Sequence, residues 1–155
     1  MIKKAISITA LSLALVSVAS AEDGKLSVGG QSSWLSHGAS VKYDFTDKIT
    51  GQAIAGLFGT LTNFSARGLY DFYEKPNFTL YGYGSIGVWK WSNAYYDESI
   101  MGYGAGAGIE YDIRKLDPTF PPLFLTAEAG ATVVNFDHYT GYNTLTTGVG
   151  VHYKF

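Results

Sequence analysis

Hydrophobic and polar residues alternate with a period of two along most of the chain. In the segment 144–155, odd-numbered positions are mostly apolar, whereas even-numbered positions carry polar residues or glycine. The same alternation recurs at 39–45, 64–72, 101–112 and 123–134. Because successive side chains of a β-strand point to opposite faces, this period predicts strands rather than helices.

The alternating segments and the turn residues between them predict eight strands in one domain. These strands cover residues 25–34, 38–46, 48–58, 61–73, 77–91, 99–112, 122–136 and 143–155. Two of them have a less distinct phase, because 25–34 is rich in serine and glycine and 77–91 is rich in aromatic residues. The four prolines fall in predicted turns or at a strand start, where a missing N–H does not interrupt a sheet.

The first 21 residues follow a different pattern, which is typical of a secretory signal peptide. Lys3 and Lys4 precede a short apolar stretch, and Ala19-Ser20-Ala21 supplies a small-x-small cleavage site. The alternative is a membrane anchor, but the apolar stretch is shorter than the ~20 residues that a spanning helix needs. We therefore expect residues 1–21 to be cleaved and residues 22–155 to be exported, as in a Gram-negative bacterium.

Composition narrows the classes of function. Of the 155 residues, 46% are hydrophobic and 15% charged, the formal net charge is −2, and cysteine is absent. The charge balance excludes a strongly basic nucleic-acid binder, so no nucleic-acid partner is expected. Without cysteine the chain has no disulfide, Cys-ligated zinc, iron–sulfur cluster or thiol nucleophile. We expect neither a cofactor nor a metal.

The alternation fits either a soluble β-sandwich with its apolar face inside or a membrane barrel with that face outside. The predicted strands, of nine to fifteen residues, are long enough for tilted membrane-spanning strands, which need ~9–11. Four glycines lie on the polar face of 101–112, where a narrow barrel interior requires small residues. These features favour an all-β, eight-stranded antiparallel up-and-down transmembrane β-barrel.

Aromatic residues cluster near the predicted strand ends, as expected at the two membrane interfaces. One predicted belt contains Trp34, Trp89, Trp91, Tyr95, Tyr96, Phe136 and Tyr139. The other contains Tyr43, Phe45, Tyr70, Phe72, Phe78, Tyr111, Tyr153 and Phe155. Two belts separated by smaller apolar residues are typical of a barrel that crosses a bilayer.

The segment 22–155 resembles the small eight-stranded outer-membrane barrels, the class of the OmpA transmembrane domain, OmpX and the opacity proteins. The resemblance rests on the alternating segments 41–45, 104–111 and 148–155 and on the signal peptide. It implies a non-enzymatic, monomeric outer-membrane protein with a structural or surface-interaction role, in contact with outer-membrane lipid and lipopolysaccharide.

The same resemblance assigns a role to the last residues of the chain. Phe155, with Tyr153 and Val151 on the same face, is similar to the signal that the barrel-assembly machinery reads during insertion. The predicted outward loops, at 35–37, 59–60, 92–98 and 137–142, are shorter than in many family members. An adhesin or invasin role is therefore not carried over to this chain.

Charged residues are predicted inside the barrel. A charge in a narrow lumen loses bulk water and needs an opposite partner. We predict a lumen network built on an Arg67–Glu128 pair and extended by Glu110 and Lys42. The network could gate ions or protons in a narrow channel. We favour a plug that closes and stabilises the barrel, because eight strands leave room only for side chains.

Two outward loops carry residue types that occur in catalytic sites. Ser36 and His37 lie in the first loop, Asp137 and His138 lie in the last, and closure of a barrel would bring these loops together. A serine–histidine–acid relay also needs hydrogen-bond reach and an oxyanion donor. Only the residue types are evident, so a lipid-modifying enzyme of the lipid A deacylase or palmitoyltransferase type remains an alternative, and metal binding by this cluster a weaker one.

Overall fold

Eight β-strands form one closed antiparallel sheet in this computed structural model, which describes residues 24–33, 36–57, 61–92, 97–136 and 139–155. Its strands are β1 (Leu26–Ser33), β2 (His37–Asp44), β3 (Ile49–Gly56), β4 (Leu61–Glu74), β5 (Phe78–Ser92), β6 (Asp97–Asp112), β7 (Leu123–Phe136) and β8 (Tyr139–Lys154). The predicted all-β, eight-stranded up-and-down barrel is confirmed. The described residues include no helix long and apolar enough to cross a membrane.

Each strand pairs with its neighbours along the chain, and β8 closes the sheet against β1. The observed strand bounds lie close to the predicted ones. The largest difference is at β8, which begins at Tyr139 rather than at residue 143. A single 3-10 turn, Ile113–Lys115, follows β6.

Polar side chains line the inside of the sheet, and apolar side chains cover its outside. On β4, Ser65 and Arg67 are buried, whereas Phe64 and Tyr70 are exposed. Leu145 is 84% exposed on β8 although it is one of the most hydrophobic residue types. This distribution is the reverse of that in a water-soluble sandwich, where the apolar face packs inward.

The register of the strands sets the width of the barrel. Following paired residues from Ser27 through β2 to β7 leads to Thr144 on β8, whereas Ser27 itself pairs with Lys154, ten residues further on. Eight strands with this stagger tilt by roughly 40° and enclose a backbone cylinder of about 8 Å radius. Such an interior is just wide enough for side chains to meet across it.

The barrel wall has two unequal sections. Strands β1, β2 and β3 have eight residues each and form what we call the low wall. Strands β4 to β8 have 14 to 16 residues and form the high wall. The start of β1 and the end of β8 lie at one end of the barrel, the terminal rim, where the N–H of Phe155 donates to the carbonyl of Leu26 at 2.9 Å. The opposite end is the far rim.

Candidate functional site

A buried ion pair crosses the middle of the lumen. Arg67 Nη1 on β4 donates to both carboxylate oxygens of Glu128 on β7, at 2.8 and 3.0 Å. Their side chains are only 4% and 2% exposed. Tyr81 Oη donates to the same carboxylate at 3.4 Å, and the Arg67 guanidinium lies 4.7 Å from the ring centroid of Tyr83. Because β4 and β7 are not neighbours in the sheet, the pair joins opposite sides of the barrel.

A second pair crosses the lumen nearer the terminal rim. Lys42 Nζ on β2 lies 2.6 Å from Glu110 Oε2 on β6, and the ammonium group is 5.8 Å from the ring centroid of Tyr81. Lys154 Nζ and Asp44 Oδ2 form a further pair at 2.7 Å. The four residues of the predicted network therefore form two cross-lumen pairs, and Tyr81 contacts both of them.

Polar side chains from β2, β3 and β8 meet on one side of the lumen. His152 Nε2 and Gln52 Nε2 each lie 2.8 Å from Ser40 Oγ. His152 is fully buried, and Ser40 is 1% exposed. The alternation places all three residues inside, but the sequence does not indicate which of them meet.

Aromatic rings from β5 fill the rest of the lumen against glycines on neighbouring strands. Tyr81 and Tyr83 are buried and pack with Leu69. A Cβ atom at Gly108 would lie 2.9 Å from Tyr81 Cε2, and one at Gly106 would lie 2.6 Å from Tyr83 Oη. The glycines on the inner face of β6 therefore make room for the tyrosines of β5. The unclear phase of 77–91 hid these tyrosines from the sequence-based prediction.

Near the far rim, Trp89 corrects part of the predicted aromatic belt. This residue is 1% exposed and packs inside the barrel against Val134, next to Trp91 and Ile100. The placement of Trp89 and Trp91 on the outer belt is wrong, because both lie on the inward face of β5. Glycine at position 102 leaves space inside for the Trp89 indole. Of the other residues predicted in that belt, Trp34, Tyr95 and Tyr96 lie outside the described residues, as do the side chains of Phe136 and Tyr139.

A cavity of about 610 Å³ lies inside the terminal rim. Lys42, Glu110 and Tyr81 lie at its inner end, and Asp44 and Lys154 lie nearer its mouth. We call this space the vestibule. The side chains that fill the centre and far side of the lumen therefore stop short of the terminal rim.

A turn between β6 and β7 borders the mouth of the vestibule. Arg114 and Lys154 lie 5.6 and 5.5 Å from the ring centroid of Phe124, which lines the vestibule. Further along the turn, the N–H and hydroxyl groups of Thr119 donate to Asp117 Oδ1 at 2.9 and 2.8 Å. These hydrogen bonds hold the pKa of the exposed Asp117 carboxyl below its usual value.

The catalytic candidates are only partly described. Ser36 is buried, and its Oγ lies 3.4 Å from Ser65 Oγ. His37 begins β2 on the outward-facing alternation, and its carbonyl accepts a hydrogen bond from Asn63 at 3.0 Å. Asp137 and His138 lie outside the described residues. Within the described ranges, no three His, Cys, Asp or Glu side chains are arranged to hold a metal ion.

The last residues of the chain lie on the outer surface. Val151, Tyr153 and Phe155 are 47%, 40% and 60% exposed. The rings of Tyr153 and Phe155 make an edge contact with centroids 5.0 Å apart. The three predicted signal residues thus form one exposed apolar strip at the terminal rim.

Comparisons with known proteins add one structural likeness. No protein-family model matches the chain, and no curated protein sequence matches it. Among solved structures, the chain is similar to Ail, the attachment invasion locus protein of Yersinia pestis, with a TM-score of 0.43 and 17% sequence identity. The match covers 86% of this chain and all of that one.

Proposed function

We propose that the protein is a small integral β-barrel of the bacterial outer membrane with a structural or surface-interaction role. The observation that carries this proposal is the outer face of the sheet. Met101, Ile86 and Val149 are 73%, 62% and 61% exposed there, while the charged residues Arg67 and Glu128 are buried inside. Lipid hydrocarbon is the solvent that suits such an outside, and a closed sheet satisfies its backbone hydrogen bonds around the ring.

In this proposal the lumen is closed and the protein is not an enzyme. The Arg67–Glu128 pair crosses the centre, and the Trp89–Val134 contact fills the interior near the far rim. The vestibule is open at the terminal rim and ends at Lys42 and Glu110. The burial of Ser36 beside Ser65 gives no support to a serine–histidine relay at the far rim.

The proposed orientation places the terminal rim in the periplasm. The start of β1 and the end of β8 both lie there, as expected for an even number of strands. Cleavage of residues 1–21 would release the exported chain, and the strip of Val151, Tyr153 and Phe155 would serve as the signal for the barrel-assembly machinery. The outer surface would then contact outer-membrane lipid and lipopolysaccharide, as a monomer.

The membrane proposal is tested by refolding residues 22–155 from denaturant with and without lipid vesicles. We expect a folded form only with lipid or detergent, visible as a band that shifts on boiling in electrophoresis. Flotation with the vesicles should resist carbonate and urea washing. A chain that folds and stays monomeric in plain buffer would contradict the proposal.

The absence of lipid chemistry is tested in cells. Mass spectra of lipid A and phospholipids are compared between cells with the protein, without it, and with the His37→Ala or His138→Ala variants. We expect the same spectra in all four. A modified lipid that disappears in either variant would replace this proposal with the enzymatic one.

A further inference from the structure

The low wall is too short to span the apolar band of a membrane. At ~3.3 Å per residue and a tilt of roughly 40°, a strand of eight residues reaches about 20 Å along the barrel axis. The apolar band around an outer-membrane barrel is about 25 Å tall. The high-wall strands, with 14 to 16 residues, are long enough. If the proposed function holds, β1, β2 and β3 therefore end within the outer leaflet.

The outer surface of the low wall is also less apolar than that of the high wall. Near the far rim the high wall exposes large apolar side chains, such as Phe64, Met101 and Leu145. Among the described residues, the outward-facing Val28, Val41 and Tyr43 of β1 and β2 are only partly exposed. The one large apolar side chain of β3 that is well exposed is Ile49, at its terminal-rim end. Leu57, just after β3, is 70% exposed.

Polar side chains lie on the outside of the low wall at its far-rim end, which we call its upper edge. Ser32 on β1 pairs directly with His37 on β2, and both follow the outward alternation of their strands. A hydroxyl and an imidazole in contact with hydrocarbon would lack hydrogen-bond partners, which is costly.

We propose that outer-leaflet lipids bring their headgroups down onto the upper edge of the low wall. The bilayer thins locally to match the short strands, as bilayers do around short hydrophobic segments. Ser32 and His37 then donate hydrogen bonds to lipid phosphate oxygens. This inference rests on the proposed membrane location and names the chemical group that the membrane presents to one side of the barrel.

The test compares nitroxide labels at two positions of similar height. The chain has no cysteine, so His37→Cys and Ile86→Cys each give a single label. These residues lie seven and eight positions above the terminal-rim ends of β2 and β5. In vesicles of phosphatidylethanolamine, phosphatidylglycerol and lipopolysaccharide, we expect the label at 37 to lie about 5 Å nearer the headgroups. The ratio of its collision rate with a polar nickel complex to its collision rate with oxygen should be higher than for the label at 86. Equal depths of the two labels would overturn the proposal.

A second measurement identifies what reaches the label. The nitroxide at position 37 should enhance the relaxation of lipid ³¹P more than the nitroxide at 86. Nickel access without a ³¹P effect would indicate a water-filled defect and contradict headgroup binding. Protection from both collision reagents would indicate a covering protein, including a second copy of this chain, and would also contradict it.

The role of the two polar side chains needs a label elsewhere. Ala39→Cys, on the outward face of β2, is measured alone and combined with Ser32→Val and His37→Leu. Loss of both hydrogen-bonding groups should move this label deeper into the hydrocarbon. An unchanged depth would overturn their assignment as phosphate contacts.

A third position separates failure of this inference from failure of the proposed function. Val149→Cys lies on the outer face of β8, between Leu145 and Tyr153. A label there should be deep in the hydrocarbon in all preparations. If it is deep while positions 37 and 86 report equal depth, only the headgroup inference is wrong. If all labels collide freely with the nickel complex, the protein is not inserted and the proposed function is wrong.

Discussion

At the scale of single residues, charge determines what the lumen can contain. Arg67 and Glu128 are buried in the lumen, and each offsets part of the cost of burying the other. Their inward phase and opposite charges were sufficient to propose the pair from the sequence. The partners of His152 were not predictable, because several neutral side chains on several strands share the same phase.

Removing one member of the central pair should destabilise the barrel strongly. We expect Arg67→Met to lower the free energy of unfolding by roughly 3–5 kcal/mol, because Glu128 is left buried and unpaired. Unfolding of the vesicle-bound protein in denaturant, followed by tryptophan fluorescence, measures this change. The matched control is Lys90→Met, which removes an exposed pair with Asp97 worth about 0–1 kcal/mol. Equal effects of the two substitutions would contradict the assignment.

The contact between Gly108 and Tyr81 is a second residue-scale feature. A methyl group at Gly108 would collide with the Tyr81 ring, whereas one at Gly84 would meet nothing within 4 Å. We expect Gly108→Ala to cost about 1–3 kcal/mol of stability through overpacking, and Gly84→Ala to cost less. Combining Gly108→Ala with Tyr81→Ala should give less than the sum of the single effects. An additive result in the same unfolding assay would rule out the collision.

At the scale of elements, the period of two was a sufficient guide to the strands. Alternation is a property of each segment by itself, and it located five strands directly; the turn residues between segments delimited the other three. It could not resolve the face of β5, where most aromatic residues have odd numbers and the large aliphatic residues have even numbers. The inward position of Trp89 depends in part on Gly102 of the neighbouring strand β6, so a strand-by-strand pattern misplaced it on the outer belt.

The last strand supplies an element-scale prediction. Phe155→Ser should reduce the fraction of chain that reaches the membrane in a folded form, because it interrupts the exposed strip that ends β8. The matched control is Leu116→Ser, which removes a residue that is 71% exposed in the turn after β6. Pulse-chase labelling with the boiling-dependent gel shift measures both. Equal insertion of the two variants would contradict a signal role for Phe155.

At the scale of the whole molecule, the barrel is closed across its centre and open at one end. The unequal walls and the vestibule arise from the relative lengths and register of all the strands, so no single segment of sequence predicts them. The number of strands and the inside-out distribution of side chains did follow from the sequence. What the sequence leaves open is how far side chains fill the space that the strands enclose.

The closed centre predicts how the molecule behaves in a planar bilayer. We expect the unmodified protein to show no discrete conductance steps, because ion pairs and aromatic rings cross its lumen. The double variant Arg67→Ala with Trp89→Ala removes one obstacle from the centre and one from the far side, and should conduct more. Regular steps from the unmodified protein would show that the lumen is a channel.

The pairing of β1 with β8 has a consequence for the order in which the molecule is made. Strand β1 is synthesised first, but one of its two neighbours is β8, which is synthesised last. A chain that ends before β8 therefore cannot close the barrel. Such a fragment would have two edge strands with unpaired backbone N–H and C=O groups, which promote aggregation. The proposed assembly signal, Val151 to Phe155, would lie on this same last strand. A truncated chain would then lack both the strand that closes the ring and the signal for its insertion.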